Sequence, residues 1–223
     1  MFRRIFTLCL CICLPQLAIA QTESVPSLIP RSLNICYSFT KYEERIEAFL
    51  EEGWHIPTDE ELVQEAIAHF AFFGMIDRVS PDNNIGVRWT SSYAGSQATY
   101  ESLLLDTDAP SINAVIFQTQ TSLGRIFAYM REVRLQNGFT TIHCGITGHE
   151  PSSVWFITPF RASKMAQHRF SYVSVPMLRD EDLLQTTSGI GIVYNFDLIS
   201  EMLPDTPQFE AGFHIFTLLR SDR

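Results

Sequence analysis

Two histidines, a cysteine and a glutamate crowd one short stretch of this chain, His143-Cys144 and then His149-Glu150. Imidazole, thiolate and carboxylate are ordinary zinc ligands, and a metal-bound water becomes a usable nucleophile near neutral pH. The spacing does not favour a metal. Paired imidazoles share a helix face at i and i+4, and His143 and His149 miss that interval. If a strand ends near Gly145, the two histidines also lie on different local structures. No metal site and no cofactor is therefore expected. His143, His149 and Glu150 remain the catalytic candidates if the chain is a small hydrolase, metal-assisted or not.

A Ser-x-x-Lys tetrapeptide, Ser38-Phe-Thr-Lys41, places a hydroxyl and an amine one helical turn apart. Acyl-enzymes that use this pair also need a Lys-Thr-Gly and a Ser-Asp-Asn, and neither stands here convincingly. Gly189-Ile-Gly191 is a lone glycine pair in a β-rich run and reads as a bulge or turn. No nucleophile elbow, His-Glu-x-x-His helix, phosphate loop or Cys-x-x-Cys is present. Triads assemble in space, so a missing motif does not exclude an enzyme.

Charge is segregated. Residues 41–65 carry nine acids against Lys41 and Arg45, whereas residues 125–169 carry Arg125, Arg131, Arg134, Arg161, Lys164 and Arg169 against Glu132 and Glu150. Solvated faces, or helix and sheet attracting each other, explain such runs. The functional alternative is that Arg125, Arg131, Arg134, Arg161 and Arg169 receive an anionic ligand or partner through their planar donor forks.

These residues need elements to position them. Ser32–Phe39 alternates apolar and polar side chains and suits a first strand. Thr40-Lys-Tyr-Glu43 and Thr58-Asp-Glu-Glu61 are capping boxes, each followed by apolar residues at helical spacing and each closed by a glycine, Gly53 and Gly74. Two capped helices a few residues apart form a helical hairpin. Residues 85–90 could be a strand, 91–97 are small and polar, and 98–105 suit either helix or strand. Thereafter the period changes to two. Gly124–Arg134 and Phe139–Ile146 flank Asn137-Gly138, the strongest short hairpin signal. Further strands are expected at 114–118, 154–159, 170–176, 190–196 and 212–219, with short helices or turns at 178–185 and 197–203. The class is α+β: an N-terminal helical hairpin packed on a mostly antiparallel sheet.

The N-terminus gives the compartment. Arg3-Arg4, the apolar run 5–14 and Ala18-Ile-Ala20 match a cleaved signal peptide over residues 1–20. Residues 21–31 would be a flexible leader and 32–223 a single domain. The chain carries −9 overall and −11 once Arg3 and Arg4 leave, which excludes a nucleic-acid binder and docking on anionic lipid. No membrane span is expected after cleavage, since the apolar run is too short. Cleavage leaves Cys36 and Cys144, which should pair in an oxidising compartment. Closing a loop of that length stabilises the fold by roughly 4–5 kcal/mol.

The expectation is an acidic periplasmic or secreted domain, most simply a non-enzymatic binding module. Its partner could be an envelope protein or a peptide, or its groove could hold an apolar ligand.

Overall fold

The structure is a computed structural model that describes residues 28–78, 86–105, 112–121, 124–148, 170–180, 185–194 and 211–220. Four helices, α1 (Leu28–Cys36), α2 (Tyr42–Glu51), α3 (Glu60–Arg78) and α4 (Gly86–Leu105), precede six strands. The strands are β1 (Ile112–Thr121), β2 (Gly124–Arg134), β3 (Phe139–Gly148), β4 (Phe170–Asp180), β5 (Gln185–Tyr194) and β6 (Ala211–Arg220). They form one antiparallel sheet in the order β1-β2-β3-β6-β5-β4. Two three-strand meanders thus meet where β3 pairs with β6. The α+β class and the Cys36–Cys144 disulfide between helix and sheet both stand.

Helices cover both faces of this sheet. On one face, Ile29, Leu33 and Cys36 of α1 and Tyr42 and Phe49 of α2 pack on Ala128, Met130, Ile142 and Cys144. On the other, Ala66, Ile67 and Phe70 of α3 and Tyr100 and Leu104 of α4 pack on Ile116, Phe127 and Tyr129. Adjacent residues of β2 point to opposite faces, so its run Ile126-Phe127-Ala128-Tyr129-Met130 is buried throughout. A continuous apolar run is what a strand covered on both sides requires.

Chain passage between the faces runs round the β1 edge. His55 and Gln118 exchange backbone hydrogen bonds of 2.9 and 2.8 Å. The link between α2 and α3 therefore lies along the outer strand. As a result α2 and α3 do not form the expected hairpin, and α3 pairs with α4 instead.

Several local expectations change. The strand expected over 32–39 is helix α1, which begins at Leu28 and so takes in residues 28–31 of the expected leader. Pro30 sits in its first turn, where a missing N–H costs nothing. The stripe Ile29, Leu33, Cys36 has helical spacing and is buried. Both caps shift by one residue: Lys41 N–H donates to Glu44 Oε2 (3.2 Å), and Glu61 N–H donates to Asp59 Oδ1 (2.9 Å). Residues 86–105 form one helix, where the sequence suggested a strand and a polar stretch. α3 continues through Gly74, because that glycine makes room for a neighbour rather than ending the helix: a Cβ there would lie 2.6 Å from Tyr100 Cε2. Residues 178–180 extend β4 and Gln185 opens β5, replacing the helix or turn expected there. The expected strand at 154–159 and the short element at 197–203 lie outside the described residues, as does the signal segment. Asn137-Gly138 does turn the β2–β3 hairpin, with Gly138 at φ +78° and Phe139 N–H donating to Asn137 Oδ1.

Candidate functional site

Antiparallel register builds a polar cluster on the sheet face under α3 and α4. Arg131 lies opposite His143, which lies opposite Phe216. One step along the strands, Tyr129 lies opposite Gly145, which lies opposite His214. Glycine at 145 is required here. A Cβ would stand 2.1 Å from Tyr129 Cε1, so the tyrosine ring crosses the space a side chain would fill. His143 Nδ1 and His214 Nε2 then approach to 3.3 Å with near-parallel rings, and Phe216 caps His143 edge-on. One imidazole donates and the other accepts in the neutral pair.

Above the cluster is a cavity of about 190 Å³. Phe73 and Gly74 of α3, with Tyr100, Leu103 and Leu104 of α4, form its roof. Tyr129, Arg131, His143 and His214 form its floor. The lining contains no carboxylate among the described residues. Arg131 Nε is buried without a hydrogen-bond partner. Buried polar atoms of this kind are rare and call for an explanation.

Electrostatics follow from burial. His143 is lowered from 6.5 to about 4 by burial first, then by His214 and Arg131. It is therefore neutral at neutral pH. Burial also pulls the Arg131 guanidinium below its ordinary value. Tyr129 is pushed well above the usual phenol value by burial and by its hydrogen-bonded neighbour Tyr100, with Arg131 opposing. The floor thus offers one fixed cation beside the neutral imidazole of His143 and the phenol of Tyr129, under a largely apolar roof.

The other expected residues disperse. Arg125 shares the Arg131 face but ion-pairs with Glu65 of α3, which is the helix-to-sheet attraction the charge pattern suggested. Arg134 points to the opposite face and pairs with Glu132 at 3.3 Å. His149, Glu150, Arg161 and Arg169 lie outside the described residues. Cys144 is buried in the disulfide, away from the cavity. Among the described residues no three His, Cys, Asp or Glu side chains gather to hold a metal. Nor is any helix there long and apolar enough to cross a membrane.

A larger cleft of about 360 Å³ opens on the α1–α2 side between Lys41, Glu43, Glu132 and Arg134. Glu132 and Arg134 answer each other there at 3.3 Å, and Glu132 also accepts from Asn113 at 3.0 Å. The smaller cavity is the stronger candidate because Arg131 Nε on its floor has no hydrogen-bond partner.

Sequence reasoning missed His214, Tyr100, Tyr129 and Phe73. The one visible signal was His214, a polar residue inside the apolar strand Gly212–Leu219. Its pairing with His143 depends on register across β3 and β6, which no local pattern encodes. Comparison with protein families, curated proteins and solved structures finds no match to this chain.

Proposed function

We propose that this chain is a periplasmic or secreted binding module that seats a small organic ligand in the cavity between α3–α4 and the sheet. The observation that carries this reading is the unpartnered Arg131 Nε on the floor of an aromatic-roofed cavity. Ligand sites combine an apolar lining with a few convergent polar groups, and this cavity has that composition. The exported compartment is supported by the disulfide, since such bonds persist in oxidising surroundings. Binding is favoured over hydrolysis by the lining itself. His143 faces His214, and no serine, cysteine or carboxylate lines the cavity among the described residues.

The test is a thermal-shift screen of small organic acids, amines and neutral compounds on the wild type and on Leu103→Trp, which fills the roof. At least one compound should raise the wild-type Tm and leave the variant unmoved. If no compound shifts the wild type and Leu103→Trp is simply more stable, the cavity is a packing gap and the reading fails.

A further inference from the structure

We propose that the cavity takes a compact monocarboxylate with an apolar body of about one ring's size, and that the His143–His214 pair takes up a proton when it binds. This rests on the cavity being a ligand seat and adds what occupies it and how pH governs it.

Size comes first. A cavity of about 150 Å³ lined by apolar side chains accepts benzene. A volume of about 190 Å³ therefore admits one ring with a small substituent and little more. Phe73, Leu103 and Leu104 supply the apolar contacts for that body.

Charge comes second. Arg131 is the fixed cation of the lining, and no acid among the described lining residues answers it. A guanidinium with a free, buried N–H suits a planar carboxylate, which it can grip in a forked geometry. A second positive charge in the ligand would meet Arg131 unfavourably, and a neutral body would leave its Nε unpaired.

Proton coupling comes third. Among the described residues, the groups that face His143 are Arg131 and Tyr129 of β2, His214 and Phe216 of β6, and Tyr100 across the cavity on α4, with Phe73 and Gly74 from α3. Burial, His214 and Arg131 all hold His143 neutral. An anion placed at Arg131 reverses the electrostatic part of that balance, because an opposite charge nearby favours the protonated ring. The pair is built to hold one proton, with the nitrogens 3.3 Å apart so that a protonated imidazole donates to its neutral partner. The proton comes from solvent and no covalent bond changes. By linkage, affinity rises as pH falls through the pair's value in the complex, by up to about tenfold per pH unit. It levels off at the lower value of the free protein.

Titration calorimetry of the full protein near pH 6 tests both halves. The probes are benzoate, its neutral isostere benzamide, and benzenesulfonate, which cannot itself carry a proton in. Each is run in two buffers of different ionisation enthalpy. Benzoate should bind at least tenfold more tightly than benzamide, and Arg131→Gln should remove that preference. Both anions should bind with net proton uptake, and His143→Gln should lower that uptake, whatever its affinity. Equal binding of benzamide and benzoate overturns the carboxylate assignment. Buffer-independent heats with benzenesulfonate overturn the proton coupling. Binding of a neutral ring alone, blocked by Leu103→Trp, also overturns the inference while leaving the ligand seat intact. If no probe or screened compound binds, both fall together.

Discussion

His143 is a core-facing imidazole whose neighbours oppose its protonation. Its ordinary value near 6.5 falls to about 4 in the fold. A group depressed in this way contributes stability above its unfolded value and loses it as pH falls through its folded value. For His143 the loss therefore runs between about pH 6.5 and pH 4. The displacement corresponds to on the order of 3 kcal/mol at most, before discounting for partial exposure. Urea unfolding at several pH values should show stability declining across that window. His143→Gln should decline less steeply there, because a neutral amide has no proton to take up. Parallel slopes for the two proteins would mean that other groups carry the acid sensitivity.

At the scale of elements, Arg45 ties α1 and α2 to the sheet. It is fully buried, yet no carboxylate among the described residues holds it. Its Nε donates to Thr40 O (3.0 Å), and its terminal nitrogens donate to Cys36 O (2.9 Å), Ser38 O (2.5 Å) and Thr217 Oγ1 (3.3 Å). Cys36 O and the residues after it are the unpaired carbonyl end of α1, where a cation is also favoured by the helix dipole. Burial lowers its value to about 10, so it stays charged at neutral pH. Arg45→Met keeps much of the volume and deletes every donor, so Ser38 O and Thr40 O lose this partner and Cys36 O keeps only Thr217 Oγ1 at 3.5 Å. The expected loss is about 3 kcal/mol in urea unfolding at pH 7, with the m-value unchanged. A change below about 0.5 kcal/mol would show that water replaces the guanidinium. Lys41 and Arg45 offset the acids of this segment in the sequence count, but Arg45 never reaches the surface to do so.

For the whole molecule, the sheet is the shared wall of two cores, and the disulfide staples only one of them. Cys36 lies at the end of α1 and Cys144 in the middle of β3, 108 positions apart. Their bond restrains the unfolded chain, and the entropy of that loop corresponds to roughly 4–5 kcal/mol. Cys36→Ala/Cys144→Ala should lower the unfolding free energy by that amount. Hydrogen exchange should then show the α1–α2 layer losing protection before the sheet, since α3 and α4 keep their own packing on the other face. Unchanged stability would mean that α1 and α2 hold their place by packing alone. The cavity lies on the unstapled side, so its aromatic roof rests on the α3–α4 pair and on the close approach at Gly74.

Local chemistry was legible from residue order alone. Asn137-Gly138 specified a turn because few other dipeptides take its backbone angles, and β-branched and aromatic runs marked strands in β1 to β6. The acid-rich segment marked the helical region α2–α3 because its apolar residues recur at helical spacing. Two cysteines left by an expected cleavage specified the pair Cys36–Cys144. α4 was not legible, since its buried stripe of Ser96, Tyr100 and Leu104 is too sparse to show a period without α3 beside it. α1 was hidden because its nine residues satisfy both periods, and only the sheet face beneath it chooses between them. The cavity was beyond reach for a stronger reason. His143 and His214 are 71 positions apart, and their meeting depends on β6 returning beside β3 in one register. That return is decided by burying two sheet faces at once, a free energy that belongs to the assembled sheet and to no segment of it.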